Sequence, residues 1–497
     1  MRHIWLRLLI RGLLPVAAPL WLAAAAGALP AGSGPALARS SELRPGDTGY
    51  GCTVLRGAAV DTFAVEILGV EENALAPGFD LILARLSGAG LENTGVIRGM
   101  SGSPVYVGGR LVGAVAYGWG FAKAPICGIT PIHAMLDVLE RDLAAPAGSG
   151  PETDPGTRAA PGGPYRGLEP LGSPVWVAGA GPSTAAELTR LLAPYGLEVT
   201  GGPAGSAPAA APETEMPLAP GAAVGAQLIG GDLSVTAIGT LTWRDGDRVA
   251  AFGHPMFGLG RVDVPLTGAT IYGVLPSQSA SFKLGAATGV RGALRQDRLA
   301  GVGGVLGQAP ALLPVTVDVG PRHFSFAVLR QRLVTPGLVQ VALLAALESE
   351  ERLFGEATVE IRGTLYLRGG ERLETTRVFA GASAILEAAG QLTEPLRLLA
   401  AAPFPTLEVE RVEARVSLRD ALQAAELTGL RLERPRAFPG DSVAVVVRLQ
   451  PHRQPPQDRV VRLRVPPGLA PGLVQVRAGS GRGAAAWEAA RRPDLAA

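Results

Sequence analysis

Short apolar runs, broken every few residues by glycine and proline, set the pattern of this chain. Residues 52–55, 62–69 and 80–86 each carry apolar or β-branched positions between turn formers, which predicts strands. Residues 105–107 and 111–117 flank Gly108-Gly109 and predict a hairpin. Residues 131–143 are apolar on one side and predict a helix. Farther on, 233–243 predicts a strand, Asp245-Gly246 a tight turn, and 248–252 the return strand. That strand ends at Gly253-His254-Pro255. Further strands are predicted at 269–274, 280–284, 312–319, 357–367, 376–379 and 407–418, and a helix at 339–350.

Composition shifts divide the pattern. Stretches rich in Pro, Ala, Gly and Ser frame a small α/β segment within 146–219, so this region reads as linkers around that segment. It holds one strand at 174–178 and one helix, which a capping box of Thr184 with Glu187 would open. The remaining units are a β-rich half over 39–145, a second over 220–345, and a β-rich extension over 346–427. Alternation over 428–480, with Pro439-Gly440-Asp441 as a turn, predicts a β-sandwich-like C-terminal domain, and 481–497 a frayed tail. The expected fold class is mainly β, in several domains.

Charge and termini narrow the function. The net charge is +2 and no basic run tracks along the chain, which excludes a nucleic-acid partner. Arg2, Arg7 and Arg11 precede an apolar stretch at 13–29, and Ala36-Leu37-Ala38 is an A-x-A cleavage site. Residues 1–38 therefore read as a signal peptide, giving a periplasmic or extracellular protein. Left uncleaved, the same segment would associate the chain with the inner membrane, facing the periplasm. Cys52 and Cys127 have two open readings, a bridge worth roughly 4 kcal/mol in the chain-entropy model or two free thiols. No CxxC or ligand spacing points to a metal, and no cofactor is expected.

The chemistry concentrates at Gly99-Met100-Ser101-Gly102-Ser103-Pro104, followed at once by a β-branched strand. A serine between glycines suits a turn that aims its hydroxyl outward. The N–H groups of Gly99 and Ser101 can then converge on a developing oxyanion. The plain alternative is a tight turn between strands. The lipase elbow is also G-x-S-x-G, but a helix follows it, whereas a strand follows here. Of the five histidines, His254 stands at a strand end before a glycine-rich loop, where a scaffold displays catalytic groups. His3 lies in the signal, His133 on a helix, His323 in a strand and His452 in a loop.

Residues 99–104, with Leu111-Val112-Gly113-Ala114-Val115 behind them, resemble the peptidase domain of the SpoIVB sporulation peptidase family. Ala237-Ile238-Gly239-Thr240-Leu241-Thr242 and Ala251-Phe252-Gly253-His254 resemble the strand pair leading to that family's histidine. Residues 301–307 resemble its glycine-rich stretch. The resemblance implies a trypsin-like double β-barrel serine peptidase acting on protein or peptide substrates, with Ser101 as nucleophile and His254 as general base. The chain departs from the family in two ways. The serine block precedes the histidine block, as if the halves were permuted. The family's acid would fall near Leu86 and Ser87, neither of them acidic. Asp80, Asp263 and Asp297 are the candidates for a third member; a Ser–His dyad, or a backbone carbonyl in the acid's place, is the alternative. A non-catalytic envelope scaffold that keeps the fold is the competing function.

Overall fold

The structure, a computed structural model, describes residues 35–144, 167–201, 218–349 and 356–479. Most of the expected signal peptide, the greater part of both linkers and the expected C-terminal tail lie outside the described residues.

The first apolar runs close on themselves. Strands β1 (Thr48–Thr53), β2 (Asp61–Ala76), β3 (Phe79–Ser87), β4 (Pro104–Val107), β5 (Arg110–Trp119) and β6 (Ile126–Pro131) pair in the order β4-β1-β2-β3-β6-β5. β5 returns to β4, so the ring is a six-stranded antiparallel barrel without an open edge. Phe63, Val65 and Ile67 alternate inward on β2, as Ile82, Ala84 and Leu86 do on β3. β5 is buried through almost its whole length. Val112 and Val115 pack in the barrel core, while Ala114 packs with Ala250 across the junction with the rest of the molecule. A short helix, α1 (Leu91–Thr94), leads into the Ser101 turn, and α2 (Ile132–Leu139) packs at the junction, against Leu111 and Ala114 of the first barrel and Ala250 and Ala300 of the second half. β7 (Leu168–Pro170) lies outside the ring, antiparallel to β5 at 117–119.

The chain then enters a second sheet through β8 (Pro174–Ala178), α3 (Pro182–Leu192) and β9 (Glu198–Gly201). Strands β10 (Ala223–Gly231), β11 (Ser234–Asp245), β12 (Arg248–Ala251), β13 (Gly260–Leu275), β14 (Phe282–Arg298) and β15 (Gly301–Leu306) follow. The pairings β10–β13–β14–β15–β12–β11 are all antiparallel, and β11 returns to β10. This is a second closed ring of six strands. The core is thus a double barrel. β16 (Leu312–Val319) and β17 (Arg322–Leu329) extend the sheet from β10, and the helix α4 (Thr335–Glu348) lies buried against them. β18 (Ala357–Leu367), β19 (Arg372–Gly381), the helices α5 (Ala384–Ala389) and α6 (Thr393–Ala401), and β20 (Val409–Arg419) continue it. β21 (Ala425–Leu432), β22 (Ser442–Pro451) and β23 (Gln457–Arg464) form a separate three-stranded sheet.

Several local expectations change. The small segment is no independent unit: β7 pairs with β5 alongside the first barrel, and β8 and β9 join the second sheet. Thr184 does not cap α3. The helix begins at Pro182 after Gly181, and Glu348 of α4 supplies the cap, accepting from Ser183 N (2.7 Å), Thr184 N (3.0 Å) and the Thr184 hydroxyl. Glu187 instead pairs with Arg190. α4 starts four residues before the expected 339, and the strand at 280–284 runs on to Arg298 as β14. Where alternation predicts a sandwich at the C-terminus, the described residues form one sheet of three strands. Both cysteines are free thiols, so the bridged reading does not hold. Burial raises both thiol pKa values, most strongly at Cys127.

Candidate active site

The Ser101 turn is held peptide by peptide. Gly99 and Gly102 have φ of 94° and 93°, a region that favours glycine. A Cβ on Gly102 would lie 2.0 Å from the Thr240 carbonyl oxygen, so no other residue fits. Inside the turn, Ser103 N donates to Met100 O (2.8 Å) and Gly102 N to Val115 O (2.8 Å). The other carbonyls face the second barrel. Arg98 O accepts from Lys283 N (3.0 Å), Gly99 O from the Thr240 hydroxyl (3.0 Å), Ser101 O from Thr240 N (2.8 Å) and Gly102 O from the Thr242 hydroxyl (2.7 Å). In a trans peptide the N–H points opposite to the C=O. Fixing the Arg98 and Met100 carbonyls therefore fixes the N–H groups of Gly99 and Ser101, which have no partner among the described residues.

His254 follows β12 through a kink in which Phe252 and Gly253 have φ of 67° and 70°. The Thr130 hydroxyl of the first barrel donates to Gly253 O (2.6 Å) and fixes the kink across the junction. Gly102, next to Ser101, packs on the backbone of Phe252, two residues before His254. The serine and histidine blocks thus meet where the barrels meet. His254 is buried, its Nδ1 2.9 Å from Pro255 O and its Nε2 3.0 Å from Leu171 O. Ser101 is fully buried, and its Oγ has no hydrogen-bond partner among the described residues.

The three candidate carboxylates separate clearly. Asp297, buried on β14, accepts from Met256 N (2.8 Å), Phe257 N (2.7 Å) and Gly258 N (2.8 Å), the loop directly after His254-Pro255. Asp263 pairs with Arg295 and accepts from Ala311 N, and burial raises its carboxyl pKa. Asp80 accepts from the Ser40 hydroxyl and Asn73 N on the first barrel. Only Asp297 of the three packs on the His254 loop. Among the described residues no group of three His, Cys, Asp or Glu side chains could hold a metal ion.

Beside the turn opens a cleft lined by Arg98, Trp119, Phe121, Glu169, Leu171 and Ser279. Arg98 forms an ion pair with Glu198. Leu171 separates this cleft from His254. Its N–H donates to Ala116 O (2.8 Å) while its carbonyl faces the imidazole.

Sequence reasoning did not find Leu171, Thr240, Thr242 or Lys283. Leu171 acts through its backbone and leaves no trace in residue type. Thr240 and Thr242 are two apart on one strand and so share a face, the period that could have marked them. Lys283 is a cation inside an otherwise apolar strand start, and it is fully buried. Burial pushes its ammonium down to about 7, partly offset by the charge of Asp61.

Two closed six-stranded antiparallel barrels, with a Gly-x-Ser-Gly-Ser-Pro turn at their junction, define a double-barrel peptidase fold. Residues 33–132 match the family model described as SpoIVB peptidase S55. Over these residues the chain is similar to the SpoIVB peptidases, and the match supports a serine peptidase of that type. The match takes in the first barrel with Ser101 and ends before His254. No curated protein and no solved structure matches the chain. Among the described residues no helix is long and apolar enough to cross a membrane.

Proposed function

We propose that the chain is an exported serine endopeptidase of the SpoIVB type, with Ser101 as nucleophile and His254 as general base. The observation that carries this reading is the anchoring of the Ser101 turn. Its carbonyls are held away, so that the N–H groups of Gly99 and Ser101 are left for an oxyanion. In the reaction, His254 Nε2 takes the proton of the Ser101 hydroxyl as Oγ attacks the scissile carbonyl. His254 then protonates the leaving amine, and water releases the acyl-enzyme. Pro255 O orients Nδ1 in place of a triad carboxylate, and Asp297 anchors the loop that carries Pro255. The arginines before the apolar N-terminal stretch and the A-x-A site support export.

The test is labelling with a fluorophosphonate. The probe should modify Ser101 in the wild type and leave both Ser101→Ala and His254→Ala essentially unlabelled. Equal labelling of wild type and Ser101→Ala would overturn the assignment. One observation favours the scaffold reading: Ser101 is closed off from solvent, and His254 Nε2 is occupied by Leu171 O. A wild type that never labels, at any pH or denaturant concentration that keeps it folded, would favour that reading.

A further inference from the structure

Lys283 and Lys123 are the only lysines among the 45 basic residues counted as Lys or Arg. One of these two is fully buried at the barrel junction. A guanidinium carries a wide planar fork that stays charged, whereas an ammonium is compact and gives up its charge more readily on burial. The site therefore selects for what only lysine offers.

The geometry shows where that ammonium acts. Lys283 Nζ donates to the Thr53 hydroxyl of the first barrel (2.8 Å) and to the Thr240 hydroxyl of the second (3.4 Å). A threonine hydroxyl has one proton to give. With a lone pair of Thr240 engaged by Lys283, that proton is directed to Gly99 O, the bond observed at 3.0 Å. The stem of the same lysine walls the turn: a Cβ on Gly99 would lie 3.1 to 3.3 Å from its Cδ, Cγ and Cβ. Its backbone N–H holds Arg98 O. Both peptide planes flanking Gly99 thus depend on this one residue and its threonine partner.

We infer that Lys283 is a positioning residue for the oxyanion site, which through Thr240 fixes the Gly99 carbonyl, and with it the turn backbone that presents the Gly99 and Ser101 N–H groups, once the second barrel is docked on the first. It touches no reacting atom. This rests on the serine-nucleophile reading above. It goes beyond that reading in making the second barrel, by way of Lys283, responsible for the oxyanion geometry of the first.

The experiment compares wild type, Lys283→Met, Thr240→Val and Thr240→Ser for fluorophosphonate labelling and for hydrolysis of p-nitrophenyl acetate, with thermal melting alongside. Methionine keeps the stem and removes the cation, so Lys283→Met should melt no lower than wild type, since it relieves a buried charge. It should still lose about tenfold or more in labelling rate and kcat, with KM little changed, in line with the cost of disturbing one oxyanion donor. Thr240→Val should show the same loss and Thr240→Ser should recover most of it. A folded Lys283→Met that labels as fast as wild type overturns the proposal. If that variant does not fold, the threonine pair decides: equal rates for Val and Ser at 240 overturn it. A wild type unlabelled at Ser101 overturns the serine-nucleophile reading and this proposal with it, whereas normal wild-type labelling with unaffected variants overturns this proposal alone.

Discussion

His254 Nε2 lies 3.0 Å from the carbonyl oxygen of Leu171. This is the ring nitrogen that the proposed mechanism requires for Ser101. Leu171 is held in turn by its N–H bond to Ala116 O and by packing of its side chain against Gly118 and the first-barrel core. For the proposed mechanism this is a resting arrangement, with His254 engaged by backbone and Ser101 closed off. Leu171→Ala loosens the packing that holds the carbonyl in place. It should cost about 2–3 kcal/mol of stability, as a buried leucine truncation does, yet speed labelling of Ser101 severalfold. Rates measured under conditions where both proteins stay folded check this. Slower or equal labelling would mean that Leu171 does not shield the site.

Asp297 answers part of the missing-acid problem. Its two oxygens accept three backbone N–H groups of the loop after His254-Pro255, all in a buried setting. Removing the acceptor leaves those donors unsatisfied, and each bond to a charged group is worth about 1.5–3 kcal/mol. Asp297→Ala should therefore lower stability by about 3 kcal/mol or more and reduce hydrolysis sharply. Asp297→Asn keeps one carbonyl oxygen and should fall between. Urea denaturation of the two variants, with labelling rates, tests the ordering. If Asp297→Ala is as stable as wild type, the loop does not depend on this carboxylate.

The barrels were legible because each is built from local hairpins. The alternation at 62–69 and 80–86, the Gly108-Gly109 turn and the Asp245-Gly246 turn all appear as strand pairings in the structure. The Ser101 turn was legible because glycine is required at Gly99 and Gly102 by φ and by space. What joins the halves was not. Thr240, Lys283 and Leu171 meet the turn or the imidazole across sequence separations of 83 to 185 residues, and hydrogen bonds of that range leave no periodic signal. The α3 cap failed for the same reason: Glu348, 164 residues from Thr184, outcompetes the local box.

The thiols give a direct check on the fold. Cys127 is fully buried on β6 and Cys52 partly so on β1, and burial raises both pKa values, which suppresses the reactive thiolate. Without reductant, the native protein should react slowly with Ellman's reagent near neutral pH, Cys52 ahead of Cys127. In denaturant it should release two equivalents, matching the two cysteines of the chain. No thiol release in denaturant would reveal a disulfide and contradict the arrangement described.

Lys283 also makes stability depend on pH in a direction opposite to most lysines. In the unfolded chain its ammonium titrates at the ordinary value of 10.5, and in the folded protein at about 7. Between those values the unfolded state binds more protons, so stability attributable to this group rises with pH from about 7 toward 10.5. Below about 7 both states are protonated, and the folded protein carries the full cost of the buried charge. Burial raises the pKa of Cys127 and Tyr106, and above about pH 9 those groups act in the opposite sense. The informative comparison is therefore between wild type and Lys283→Met, from about pH 6 to about pH 9. The variant should be the more stable of the two at the acid end, and the gap should narrow steadily as pH rises through 7. Urea midpoints at a series of pH values measure it. A gap that stays constant across that range would show that the buried ammonium keeps its ordinary proton affinity.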